Sequence, residues 1–270
     1  MGTGSSASST TAAHVAFTSS FNQCYGPSYA FGCVDAATGG TVSFNAYECR
    51  SGSVGFASMG KSPYTGTLTV GANFYDCSAG PNAVGVVSFM SSYSTTSTGT
   101  ATFSGVAQNC VSNNQFFGAR SASMTIKITG TIKNCSTGSS GGCFQGAQVG
   151  SGGIIDGVSG YQTSASLPLN FLSGSFGRNL NLQVSMPVTC AGKIERSSLT
   201  SVSANQDTIT AQAGAAIYGS TIIATGTGKS INASGSISIP IAGCLMNTGL
   251  GSNVTNSITT PYNVVDSNVQ

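Results

Sequence analysis

Glu48 and Asp76 are the residues best placed to do chemistry. Each directly precedes a cysteine at the end of an alternating run, in TVSFNAYEC and LTVGANFYDC. Two carboxylates flanking a glycosidic bond are the machinery of sugar hydrolysis, one as acid, the other as base or nucleophile. A bridge between Cys49 and Cys77 would bring this pair together. The other acids are Asp35, Asp156, Glu195, Asp207 and Asp266. No neighbouring run builds the apolar wall that splits the roles of such a pair. The chain has no tryptophan. Sugar stacking would fall to Tyr25, Tyr29, Tyr47, Tyr64, Tyr75 and Tyr93, whose commoner place is the core. Glu48 and Asp76 therefore read as strand-end residues, no residue is assigned as catalytic, and a secreted hydrolase is the third-ranked reading.

Other reactive patterns are weaker. Gly138–Gly142 (GSSGG) matches the G-x-S-x-G elbow, but that elbow needs a strand before it, a helix after it and a histidine downstream. The single histidine, His14, lies upstream. Zinc sites favour short thiol spacings such as C-x2-C. The closest pairs here, Cys24/Cys33 and Cys135/Cys143, enclose longer Gly/Ser loops. No metal and no cofactor is expected. Sequons stand at Asn134, Asn232 and Asn253; Asn232 and Asn253 are the candidates for glycosylation, in a source that modifies exported proteins.

Nine cysteines remain to be explained: Cys24, Cys33, Cys49, Cys77, Cys110, Cys135, Cys143, Cys190 and Cys244. Six of them, all but Cys24, Cys33 and Cys143, close an alternating run. Without metal ligands beside them they read as disulfide partners in an oxidising compartment. The odd number leaves one thiol over, and about 945 connectivities are open. The favoured pairs are Cys24–Cys33, Cys135–Cys143 and Cys190–Cys244.

Charge excludes more than it identifies. Asp, Glu, Lys and Arg make up 6% of the 270 residues, against about 25% in an average soluble protein. Nine basic residues without a cluster cannot neutralise a phosphate backbone; Lys193–Arg196 is interrupted by Glu195. Nucleic acid is excluded as a partner. No apolar run is long enough for a spanning helix. The first residues lack a signal pattern, so an exported form would be a mature one. Mean hydropathy is +0.16 and net charge +2, which is not the signature of disorder. Such a neutral, hydroxyl-rich surface offers little electrostatic resistance to self-association.

The elements that must position these residues are strands. Inward sets recur with period two: Val42, Phe44, Ala46; Leu68, Val70, Ala72, Phe74; Met124, Ile126, Ile128, Ile132; Leu180, Leu182, Val184, Met186, Val188; and Ile231, Ala233, Ile237, Ile239, Ile241. Strict alternation predicts half-buried antiparallel strands. Pro187 and Pro240 predict edge strands or bulges. The predicted fold is all-β, a disulfide-stapled antiparallel β-sandwich of jelly-roll or Ig-like type, in one or two domains. A β-solenoid is the alternative. It is disfavoured because the spacings from Cys49 to Cys77, Cys110 and Cys135 are 28, 33 and 25, whereas repeats favour a fixed period.

The expected organisation is a flexible leader and donor strand over residues 1–20, a sandwich over 21–145, and a second sandwich or second half of one large domain over 160–270. The Gly-rich stretch Gly138–Gly160 forms the boundary. Val15 and Phe17 are the anchors with which the leader would complete a neighbour's sheet. In general character the chain resembles extracellular fimbrial and surface-layer subunits, although no motif is diagnostic of a family. The function expected is a non-enzymatic structural subunit of an extracellular filament, pilus or surface layer, growing by strand addition to copies of itself. The alternative is a secreted adhesin that binds host or surface glycans. A virion coat ranks lower, because coats made in a reducing cytosol seldom need so many cysteines.

Overall fold

The inward row Leu68, Val70, Ala72, Phe74 runs through two strands, Thr67–Val70 and Asn73–Tyr75, that bend at Gly71. A sharp corner at Asp76 and Cys77 then starts a third strand, Ser78–Ala79. The computed structural model describes residues 16–26, 33–34, 39–51, 55–59, 66–79, 88–92, 98–112, 117–118, 123–137, 144–162, 168–233, 240–248, 263–265 and 268–269. Among them this unit is repeated from one end to the other, and there is no helix.

Each unit stacks in register on the one before. Thr100–Phe103 pairs with Thr67–Val70, Val106–Gln108 with Asn73–Tyr75, and Val111–Ser112 with Ser78–Ala79. Thr125–Ile128, Thr131–Lys133 and Ser136–Thr137 repeat the sequence one coil further on. Every one of these pairings is parallel, and the result is a β-solenoid. Its walls are a 19-stranded sheet bent at the glycines, an 11-stranded sheet and a 5-stranded sheet. Each pass around the solenoid adds one strand to the 11-stranded wall, so at about 4.8 Å per strand the shaft is about 50 Å long.

The antiparallel sandwich is thereby overturned. Alternation reports only that one face of a strand is buried and the other wet. Parallel sheets are ordinarily buried on both faces by helices. Here they enclose a shared interior instead, and their outer faces meet solvent. The objection from irregular spacing fails for a related reason. The strands and corner hold their register although the number of residues between successive corners differs. Nor do the prolines mark edges: Pro240 opens a strand, Pro240–Ala242, held on one side by Ala216–Tyr218 and on the other by Asn263–Val265. Pro187 stands just before Val188–Cys190. At the first residue of a strand the missing N–H costs little.

The interior is a set of columns. Ile194, Ile217 and Ile241 stack through adjacent coils, as do Leu182, Leu199, Ile222 and Met246. All are buried. Phe21, Phe44, Phe74, Phe103, Phe117 and Phe144 form a continuous aromatic spine, with ring centroids 4.9 to 6.3 Å apart. Each buried ring contributes about 1.5–3 kcal/mol through the surface it removes from water.

Described residues within the stretch expected to form a boundary join this ladder. Ala147–Val149 pairs with Thr125–Ile128 and Asn170–Phe171, and Ile154–Asp156 lies between Thr131–Lys133 and Phe176–Arg178. What changes there is the cross-section. Among the described residues the 5-stranded wall, made by Cys33–Val34, Gly55–Met59, Ser88–Ser92, Phe117–Gly118 and Phe144–Gln145, has no strand after Gln145.

The bends show how little room the coils leave. A Cβ on Gly105 would fall 1.8 Å from the Ala72 carbonyl oxygen, and one on Gly130 would fall 2.1 Å from that of Gly105. One on Gly71 would approach nothing closer than 3.7 Å. Gly105→Ala should therefore destabilise by about 1–3 kcal/mol as coils are forced apart, while Gly71→Ala stays within about 0.5 kcal/mol of wild type. Denaturant unfolding of the two variants checks this contrast.

Candidate functional site

The corner between the second and third strands of each coil concentrates the polar residues. Its first residue has a left-handed backbone: Gln23, Glu48, Asp76, Asn109, Asn134, Asn179 and Arg196, with φ of 47° to 54°, and glycine at 157, 219 and 243. Asn, Asp and Gly enter this conformation most readily. The turn it makes aims the backbone N–H along the shaft. Glu48 donates to the Tyr75 carbonyl at 2.9 Å, Asp76 to Gln108 at 3.0 Å, Asn109 to Lys133 at 3.0 Å and Asn134 to Asp156 at 2.8 Å.

The side chains of these residues run up the outside as a second ladder. Gln23 Nε2 donates to Glu48 Oε2 at 2.8 Å, Asn109 Nδ2 to Asp76 Oδ1 at 3.1 Å, and Asn134 Nδ2 to Asn109 Oδ1 at 3.4 Å. Asp156 is buried and accepts from Arg178 Nε at 2.9 Å and from Asn179 Nδ2 at 2.7 Å. Arg196 Nε reaches Asn179 Oδ1 at 3.4 Å. Lys193 pairs with Glu195 and lies over the rings of Phe176 and Tyr218, 5.9 and 5.1 Å from their centroids.

Glu48 and Asp76 do lie on adjacent coils, brought there by strand register. With Gln23, Cys24, Tyr25 and Arg50 they line an open depression of about 490 Å³. Tyr25 is 71% exposed beside it. On the adjoining wall Tyr47 and Tyr75 stack with centroids 5.3 Å apart and planes 8° from parallel. Both carboxylates are exposed. They offer a polar contact surface rather than a desolvated acid–base pair.

The cysteines occupy the position just inside the corner. Cys24, Cys49, Cys77, Cys110, Cys135 and Cys244 each follow the left-handed residue, and Val158, Leu180, Ser197 and Ser220 fill the same slot in the intervening coils. Cys190 lies in a different column, between Phe171 and Ala211. The favoured partners Cys190 and Cys244 are thus set in separate columns. Cys24, Cys49, Cys77, Cys110, Cys135 and Cys190 carry free thiols. The side chain of Cys33 and the whole of Cys143 lie outside the described residues, as do His14, Val15, Gly138–Gly142 and Asn253. Phe17 stands in the strand Ala16–Asn22, paired in parallel with Gly39–Tyr47 of its own chain. Asn232 Nδ2 donates to Asp207 Oδ2 at 2.6 Å, so its amide is already engaged.

Among the described residues no group of three or more potential ligands could hold a metal ion, and no helix is long and apolar enough to cross a membrane. No family model, curated protein or solved structure matches the chain.

The ladder as a whole was missed from the sequence, although its signal was present. The residue before the cysteine is Gln, Glu, Asp, Asn and Asn in the first five corners. Those are mostly the side chains that tolerate a left-handed backbone.

Burial pushes the Cys49 thiol up from its ordinary value to about 11 and that of Cys190 to about 12. Cys110 is also raised, by side-chain contacts with Cys135 and Cys77 and by burial. Unfolded thiols ionise near 9. Below that pH both states hold their protons and stability is unaffected. As pH rises from about 9 towards 11–12 the unfolded chain ionises first, and native stability falls. Denaturant midpoints across this window should drop, and the drop should shrink in the double variant Cys49→Ser, Cys190→Ala.

Proposed function

We propose that this chain is a structural rod, a subunit of an extracellular or cell-surface filament that grows by adding coils of one copy onto coils of the next. The observation that carries this reading is the unbroken parallel register from the strand Ala16–Asn22 to the strand Asn268–Val269. The backbone is spent on holding coils together, and much of the corner's polar chemistry is spent on its own neighbours. A shaft of this kind is stiff, and its sparse charge lets copies approach. Among the described residues the terminal strand Ala16–Asn22 is paired along one edge only, by Gly39–Tyr47. A further coil laid on the other edge would continue the ladder, which is β-augmentation in its parallel form. A contact of this head-to-tail kind that does not close yields a filament.

Negative-stain images should show rods with an axial repeat of about 50 Å that lengthen with concentration. Deleting residues 1–20 should stop growth while circular dichroism keeps its β signature. Discrete particles of one size at every concentration would overturn the polymer.

The depression at Gln23, Tyr25, Glu48, Arg50 and Asp76 favours a second reading, an adhesive contact with glycans. Its mixture of carboxylate, guanidinium and amide groups with an exposed ring matches the hydroxyls and apolar face of a sugar. Tyr25→Ala and Asp76→Asn should each weaken retention on a glycan array at least tenfold without changing thermal stability. Unaltered retention in both variants would remove this reading.

A further inference from the structure

We infer that the corner cysteines form a hydrogen-bonding thiol ladder in place of bridges, and that the chain folds with these thiols reduced. The slot they share decides the matter. Ser197 Oγ donates to the carbonyl two residues back, at Glu195, at 2.7 Å, and Ser220 Oγ does the same to Tyr218 at 2.8 Å. The cysteines repeat this bond: Cys49 to Tyr47 at 3.3 Å, Cys77 to Tyr75 at 3.3 Å, Cys110 to Gln108 at 3.2 Å, Cys135 to Lys133 at 3.2 Å and Cys244 to Ala242 at 3.4 Å.

The acceptor side is shared as well. The Leu180 N–H donates to Ser197 Oγ and the Ser197 N–H to Ser220 Oγ, both at 3.1 Å. The Cys110 N–H donates to Cys135 Sγ at 3.4 Å. The backbones of Cys24, Cys49, Cys77 and Ser220 make the corresponding contact with the thiols of Cys49, Cys77, Cys110 and Cys244. Cysteine and serine are therefore interchangeable here. Cys135, Ser197 and Ser220 each take an N–H from the preceding coil and return their own hydrogen to a carbonyl at the corner.

A disulfide cannot do this. Joining two neighbouring thiols removes both hydrogens and delivers two electrons to an oxidant, such as a small diffusible disulfide. Two corner carbonyls then lose their donors. In-register neighbours also point the same way from strands about 4.8 Å apart, whereas bridged Cβ atoms sit about 3.8 Å apart and face each other. Reduction therefore preserves the corner, and oxidation would strain it. A place outside the cell rests on the neutral surface and the self-pairing shaft, with no support from the cysteine count.

The test is a thiol count on full-length protein purified under inert gas without reductant, then denatured and alkylated. Seven or more labelled cysteines are expected; six or fewer would overturn the ladder. A second measurement compares melting with and without dithiothreitol in wild type, Cys110→Ser and Cys110→Val. Reductant should leave the wild-type melting temperature unchanged, and the serine variant should melt within about 3 °C of it, above the valine variant. A fall in wild-type melting on reduction, or equal loss in the two variants, would show a bridged cysteine instead. Should neither variant fold, the wild-type thiol count and reductant response still decide.

Discussion

The left-handed residue at each corner is what allows one coil to sit in register on the next. It turns the chain sharply without using up a hydrogen-bonding group, because its own N–H is handed to the coil that follows. Asn134 N–H to Asp156 O and Gly157 N–H to Arg178 O are successive steps of that transfer. Once the corner is fixed, the flanking strands have no freedom of register, and a slip by one residue would turn every inward side chain outward. The columns of isoleucine, leucine and phenylalanine follow from this, since residues at equal distance from the corner are forced to stack. Buried backbone groups pair almost without exception in native proteins, and here that requirement is met largely between coils.

Much of the burial pattern was legible from alternation alone. Leu68, Val70, Ala72 and Phe74 point inward as read, and so do Ile126, Ile128 and Ile132. The direction of pairing was not legible, because alternation is the same for a strand paired parallel or antiparallel. Period failed as a guide for a different reason. Corners recur at intervals of 25 between Gln23 and Glu48 but 17 between Asn179 and Arg196, and the solenoid tolerates this because only strands and corners must match. Glu48 and Asp76 line one depression because strand register sets them on adjacent coils. The partners Gln23 and Asn109 lie 25 and 33 residues from the acids they bond, and become visible only once the coils are aligned.

Cysteine was the most persuasive residue in the sequence and the most ambiguous chemically. A small side chain that both donates and accepts is what the inner corner requires, and thiol and hydroxyl each satisfy it. Val158 and Leu180 show that packing alone suffices in two coils. The count of cysteines thus records how often one slot is repeated. It carries no information about bridges unless the slot itself is known. The same reasoning separates Asp156, whose carboxylate is committed to Arg178 and Asn179, from Glu48 and Asp76, which keep oxygen atoms turned to the open surface.

The loss of the 5-stranded wall after Gln145 has a mechanical meaning. Resistance of a beam to flexing rises steeply with its thickness, and the coils before that point are wider by a whole side. The shaft is accordingly a tapered beam, firm in its first half and more pliant in its second. Load applied across it would concentrate curvature just beyond the step, where Gly150, Gly152 and Gly153 replace the single glycine of earlier bends.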